Sequence, residues 1–332
     1  MKATTGTEFR HRHAAHCESG VAASLLTHHG VPISEAMAFG LSSAMAFAYL
    51  PFVKFAGFPL IAYRMPPRHI LKGMARPFGM RFRFETFRDP AAGMRRLDEL
   101  LAQGRVVGAQ TSPFWLPYFP EDMRFHFNAH NLIVYGKQGD EYLISDPVAE
   151  DPQRCAGDAL QRARFAKGLM APKGLLYYPE SIGCNEVTAD AVRRAIRKTV
   201  RTMLGPVPIV GVRGIRMLAK RVAKLDPADR LSLNYAGHIV RMQEEIGTGG
   251  AGFRFLYAAF LQEAAHVTGI AELAALSERM NEVGDGWREF ALQAARMIKG
   301  RDAFDPGKLA RMLHGQAERE REFFRALKRA VA

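Results

Sequence analysis

His130-Asn131-Leu132-Ile133-Val134-Tyr135-Gly136, then Lys137-Gln138-Gly139-Asp140, then Glu141-Tyr142-Leu143-Ile144-Ser145-Asp146-Pro147: two apolar runs joined by a polar, glycine-containing turn. Runs bounded in this way read as the two strands of a β-hairpin. His130 opens the first strand and Asp146 closes the second. In an antiparallel pair those two positions lie side by side at one rim of the sheet. A carboxylate is thereby placed where it can orient an imidazole.

The segments upstream extend this sheet. Arg81-Phe82-Arg83-Phe84-Glu85-Thr86-Phe87 alternates with a period of two, and Arg105-Val106-Val107-Gly108-Ala109-Gln110 reads as a buried strand. Between them Asp89-Pro90 has the form of a helix cap followed by proline in the first turn, and Ala91–Gln103 is a helix closed by Gly104. Thr111–Met123, rich in proline and aromatic residues, is a loop, and His69–Ala75 is a short helix. The apolar stretch Leu41–Leu50 with Pro51-Phe52-Val53 approaches the length of a membrane span. Interruptions at Gly40, Pro51, Lys54, Gly57 and Pro59 point instead to core strands or a hydrophobic wall. The Met- and Phe-rich run Met37–Phe58 suits either an acyl pocket or plain core.

Near the N-terminus, His16-Cys17-Glu18-Ser19-Gly20 leads into a helix in which Val21, Ala22, Leu25 and Leu26 recur at helical spacing until Gly30. Ser34-Glu35-Ala36-Met37 opens a second, short one. A thiol at a helix N-terminus feels the positive end of the dipole, which favours the thiolate. A cysteine also packs well as a small buried hydrophobe. Together Cys17, His130 and Asp146 supply a nucleophile, a base and an orienting carboxylate, the set required for nucleophilic catalysis. A protonated His16 beside Cys17 would depress the thiol pKa, but adjacent side chains on a helix start do not usually face each other.

Beyond Ser181–Asn185 helical patterns take over: 189–204, 212–225, 227–246, 253–268, 270–299 and 306–331. Asp226-Pro227 and Asp305-Pro306 are helix starts, and Gly247–Gly252 is a glycine-rich connection. A chain of 332 residues with this change of pattern divides into two domains, 1–183 and 184–332. The three cysteines are widely spaced, and Met1–Arg12 lacks the apolar core of a signal peptide, which points to a reducing cytoplasm. Cysteine and histidine do not fall at zinc-site spacings, so neither a metal nor a diffusible cofactor is expected. The net charge of +13 admits nucleic acid, an anionic membrane surface, an acidic protein or a merely solvated basic surface.

The motifs around Cys17, the stretch Gly30-Val31-Pro32-Ile33-Ser34-Glu35-Ala36-Met37-Ala38-Phe39-Gly40-Leu41, the strand His130–Gly136 and Ser145-Asp146-Pro147-Val148 occur in order. In these the chain resembles the N-terminal domain family of butirosin biosynthesis protein H (BtrH). The resemblance implies an α+β architecture: a papain-like domain akin to bacteriocin-processing cysteine peptidases, followed by an all-α domain. The helical half, with Glu244-Glu245-Ile246-Gly247-Thr248-Gly249-Gly250, Tyr257 and Glu263, is similar to the accessory domain that accompanies this family.

By the same resemblance Cys17 accepts an acyl group from a carrier-protein thioester, His130 is the base and Asp146 its orienter. A bound amine or hydroxyl, a small-molecule acceptor in secondary metabolism, then takes the acyl group. The related peptidases place a glutamine six residues before the cysteine to hold the oxyanion. Here that position is His11, which leaves His11, Gln110 or the Cys17 backbone N–H as donors. An acidic acyl carrier protein bringing its own phosphopantetheine gives the basic excess a use ahead of nucleic acid. Arg193, Arg194, Arg197, Lys198 and Arg201, followed by Arg213, Arg216, Lys220, Arg221 and Lys224, are candidates to meet it. A cysteine hydrolase with the same triad and a non-catalytic carrier-binding scaffold are the alternatives. Peripheral membrane contact and homo-oligomerisation stay open.

Overall fold

Gln138 sits opposite Glu141 and Ile133 opposite Ser145, so the hairpin forms with the turn its residues require. The computed structural model describes residues 4–246 and 249–332. The chain runs through β1 (Thr4–Gly6), α1 (Cys17–His28), α2 (Glu35–Leu41), β2 (Met45–Phe55), β3 (Phe58–Arg64), α3 (His69–Gly73), β4 (Arg81–Glu85) and α4 (Pro90–Ala102). It continues through β5 (Val107–Thr111), β6 (His130–Gln138), β7 (Glu141–Ser145), β8 (Gln153–Ala156), α5 (Gly157–Arg164) and β9 (Leu176–Ser181). Six helices follow: α6 (Ala189–Leu204), α7 (Gly211–Val222), α8 (Arg230–Glu244), α9 (Arg254–Thr268), α10 (Glu272–Ile298) and α11 (Pro306–Ala330). It is thus a mixed α/β chain with a helical C-terminal region.

Two compact units result, one of residues 1–38 and 70–186, the other of 39–69 and 187–332. The first is built on an antiparallel sheet in the order β4-β9-β5-β6-β7-β8. One edge of β6 is shared: β5 covers His130–Val134 and β1 covers Gly136–Gln138. Asp89 starts α4 by accepting from the N–H groups of Ala91 and Ala92, a cap worth about 1 kcal/mol. Leu97, Leu100 and Leu101 of α4 are buried with Val107, Leu132, Val134 and Ile144 of the sheet. Each such side chain contributes about 1.5–3 kcal/mol by leaving water. On β6 the alternate residue Asn131 faces α1 instead.

Helix α1 has no amphipathic stripe. Cys17–Leu26 are all buried, which suits a helix of small and apolar residues inside a domain. Gly20 is needed there: a Cβ would stand 2.7 Å from both Ala14 Cβ and Pro147 Cβ. The N–H of Ala14 donates to the carbonyl of Pro147 at 2.7 Å. This close approach brings the start of α1 to the turn that follows Asp146.

The second unit differs from the expected all-α domain 184–332. The apolar stretch near residue 41 forms β2, which pairs with β3 and joins the C-terminal helices. Ala56 and Gly57, both at positive φ, make the tight turn between the two strands. Phe47 of β2 and Tyr63 of β3 are buried against Trp287 of α10, at ring separations of 6.0 and 5.4 Å. An apolar run wants burial, yet its composition does not say in which core. Among the helices, α6 buries Val192, Ile196, Val200 and Met203, one stripe at helical spacing. Gly247 and Thr248 of the glycine-rich connection lie outside the described residues. After them, the Glu244 carboxylate accepts from the N–H of Ala251. No helix among the described residues is long and apolar enough to cross a membrane. Cys17, Cys155 and Cys184 are unpaired.

Candidate active site

Cys17 is the first residue of α1, and the turn before it is held by one carboxylate. Glu35 of α2 accepts from the N–H of Ala15 at 2.9 Å, the N–H of His16 at 2.7 Å and the Ser19 hydroxyl at 2.9 Å. His16 caps the helix, its Nδ1 accepting from the N–H of Ser19. Burial raises the Glu35 carboxyl above its ordinary pKa, although these donors pull the other way. Glu18, also buried, accepts from the N–H groups of Ile70 and Leu71 and so starts α3. Neighbouring residues of one pentapeptide therefore have separate work: His16 and Ser19 fix the helix start, Glu18 fixes α3, and the Cys17 thiol is left with 4% exposure.

His130 stands at the first position of β6, opposite Thr111. Its Nε2 lies 2.7 Å from Asp146 Oδ2. A carboxylate only accepts, so Nε2–H donates to Asp146, and Nδ1 is the ring nitrogen that the carboxylate does not use. Burial alone would lower the imidazole pKa, but Asp146 and the Cys17 sulfur outweigh it and raise it to about 10. Asp146 is itself fully buried and fixed by two further donors, the Tyr118 hydroxyl at 2.8 Å and the N–H of Val148 at 3.2 Å. The phenol of Tyr118 is pushed well above its usual pKa by burial and then by the Asp146 charge, so it stays a donor. Phe119 meets the His130 ring edge to face at 5.5 Å.

Asn131 Nδ2 donates to Cys17 Sγ at 3.9 Å and to the carbonyl of Ala129 at 3.0 Å, while Tyr177 donates to Asn131 Oδ1 at 2.9 Å. The structure thus brings Cys17, His130 and Asp146 together, with Asn131 and Tyr118 beside them. Neither of the last two stood out in the sequence: Tyr118 read as one loop aromatic among several, and Asn131 as an ordinary strand residue. His11 lies elsewhere, with Nδ1 2.8 Å from Ser145 Oγ and Nε2 on the carbonyls of Ala149 and Glu150. Gln110 donates to the carbonyls of Asn128 and Met170. In the helical unit Arg193 pairs with Asp190 and Arg197 donates to the Val331 carbonyl, whereas Arg194, Lys198 and Arg201 are exposed.

Chemically, a buried thiol beside an imidazole that a carboxylate orients can lose its proton, attack an electrophilic carbonyl and later be released from it. Among the described residues no group of three or more His, Cys, Asp and Glu is placed to hold a metal ion. Residues 16–147 match the family model described as butirosin biosynthesis protein H, N-terminal. Residues 158–327 match that of a domain of unknown function, DUF4872. No curated protein matches the chain.

Proposed function

The chain belongs to the butirosin biosynthesis protein H N-terminal and DUF4872 families, and we propose that it is an acyltransferase that works through a thioester on Cys17. The observation that carries this reading is the His130 imidazole hydrogen-bonded to Asp146 at the start of the same strand whose next residue, Asn131, donates to the Cys17 sulfur. A cysteine on a helix start, a histidine on a strand and a carboxylate at the next strand's end also favour a papain-like fold for the first domain.

In the first half-reaction the His130 imidazolium holds the proton while the Cys17 sulfur attacks the carbonyl carbon of a thioester borne by a carrier protein's phosphopantetheine arm. The tetrahedral adduct collapses, its bond to the arm sulfur breaks, and His130 returns the proton to the departing thiolate. In the second, an amine or hydroxyl attacks the acyl-Cys17 carbonyl and gives its proton to His130, and the cysteine leaves. The Asn131 amide, already a donor toward Sγ, and the Cys17 N–H at the helix start are suited to the oxyanion.

Intact-protein mass spectrometry of wild type and Cys17→Ser, after incubation with a panel of acylated carrier proteins, tests the reading. We expect the acyl mass on wild type alone. Free acid released without transfer would make the chain a hydrolase with the same triad. No adduct and no turnover with any donor would overturn the nucleophile.

A further inference from the structure

We propose that a cationic cavity in the first unit receives the phosphate of the donor's phosphopantetheine arm; this rests on the acyl-transfer reading above. The cavity, of about 680 Å³, is lined by Phe87, Arg88, Phe165, Lys167 and Lys173 among others. A second, of about 430 Å³, shares Phe165, Ala166 and Lys167 with the first and includes Trp115, His126 and Arg162. Neither is lined by an aspartate or glutamate. Arg88, Lys167 and Lys173 are exposed and, among the described residues, take part in no ion pair. Arg162 differs, being paired with Asp158 at 2.8 Å.

The connection between α5 and β9, which carries Phe165, Lys167 and Lys173, is fastened to the His130 end of the sheet. Asn128, two residues before His130, donates to the carbonyls of Lys167 and Leu169, and Gln110, opposite Asn131 in register, donates to that of Met170. Lys173 and Met170 are held at positive φ, 53° and 56°, a conformation non-glycine residues rarely keep without surrounding support. Exposed Phe114, Trp115, Leu169 and Met170 give the region an apolar rim. Three unpaired cations beside apolar surface match an anion attached to a neutral chain. They repel a cationic amine acceptor, so the cavity belongs to the donor side of the reaction. The arm's phosphate has the required charge, and an acidic carrier protein behind it is drawn to the same field.

The test titrates Cys17→Ala protein with phosphopantetheine and with pantetheine, which lacks only the phosphate. Tryptophan fluorescence reports binding, since Trp115 lines the second cavity and the other tryptophan, Trp287, is fully buried. We expect phosphopantetheine to bind at least tenfold tighter at low salt, with the difference shrinking as salt screens it. Arg88→Glu/Lys167→Glu/Lys173→Glu removes the preference, and Arg194→Glu/Lys198→Glu/Arg201→Glu on α6 leaves it intact. Equal or no binding of the two ligands, a preference that survives the first triple variant, or one lost in the second overturns the proposal. Acylation of wild-type Cys17 by octanoyl-pantetheine is read in parallel. Acylation without phosphate preference sinks the cavity alone, and phosphate preference without acylation sinks the acyltransferase reading alone.

Discussion

His130 turns Nε2, and not Nδ1, toward Asp146, at 2.7 Å. That choice of ring atom settles which nitrogen is free to exchange a proton with sulfur. It follows from the placement of the two residues: His130 at the start of β6 and Asp146 just past the end of β7, with Pro147 drawn against Gly20 of α1. The imidazole bridges the sheet rim and the helix start that carries the thiol.

Asp146→Asn tests the orienting role. The amide can still accept from Val148 N–H, so folding is retained, but a neutral partner no longer holds Nε2–H or the imidazolium. We expect the rate of Cys17 acylation to fall by about 10²- to 10⁴-fold, with an unchanged circular dichroism spectrum. Tyr118→Phe, which removes one donor to the same carboxylate oxygen, should cost less, about 5-fold, the scale of a single hydrogen bond near 1 kcal/mol. A Tyr118→Phe defect larger than that of Asp146→Asn would contradict this ranking.

Protonation of His130 links the site to stability. Its pKa is raised to about 10 in the folded protein, against burial, by Asp146 and the Cys17 sulfur, while an unfolded histidine titrates near 6.5 (about). The protonated imidazole therefore stabilises the fold fully below about pH 6.5, and this contribution is lost as pH rises toward 10. The stability deficit of His130→Gln in urea unfolding should be largest near pH 6 (roughly) and shrink toward pH 10. A deficit constant with pH would contradict the shift. Cys17→Ala removes part of what raises the pKa, so NMR titration should find its His130 midpoint below that of wild type, yet still above the ordinary histidine value.

The elements were legible where periodicity was strong. The hairpin of β6 and β7 and the helices α6 to α11 follow from alternation and helical spacing, and the nearness of His130 and Asp146 follows from hairpin register alone. By contrast β8 and β9 are short and carry little alternation: Gln153-Arg154-Cys155-Ala156 does not announce a strand. The placement of β2 and β3 with the C-terminal helices depends on partners, Phe47 and Tyr63 against Trp287, that lie more than two hundred residues away in sequence. Glu35 read as an ordinary helix-start residue, because its burial over the Ala15-His16 turn exists only once α1 and α2 are packed.

Glu35 gives a prediction of its own. Its carboxylate satisfies two backbone N–H groups and a hydroxyl just ahead of and within the first turn of α1. Glu35→Ala leaves those donors without their acceptor, and each buried one costs about 1–3 kcal/mol. We expect a loss of stability of about that size for the pair of backbone groups taken together, because the Ala15 side is open to water. Acylation should slow as well, since the thiol is the next group along the released turn. Unchanged acylation in a protein of lowered melting temperature would show that Glu35 serves the fold and not the position of Cys17.

In the second unit a buried ion pair takes the central place. Arg254 and Glu320, both fully buried, are joined by two hydrogen bonds of 2.9 and 3.1 Å. Arg254 also donates to the Gly252 carbonyl and lies over the Tyr63 and Trp287 rings, and Trp287 Nε1 donates to Glu320 at 2.6 Å. Removing one charge strands the other where water cannot reach it, so Arg254→Met and Glu320→Leu should each destabilise by about 3–5 kcal/mol. Replacing both removes the stranded charge and leaves two neutral groups, the Trp287 N–H and the Gly252 carbonyl, without these partners, a smaller loss than a buried unpaired charge. The double variant should therefore be more stable than either single one, with a coupling of several kcal/mol in a double-mutant cycle followed by urea unfolding. Additive losses would mean that the two charges are stabilised independently by the surrounding carbonyl and rings.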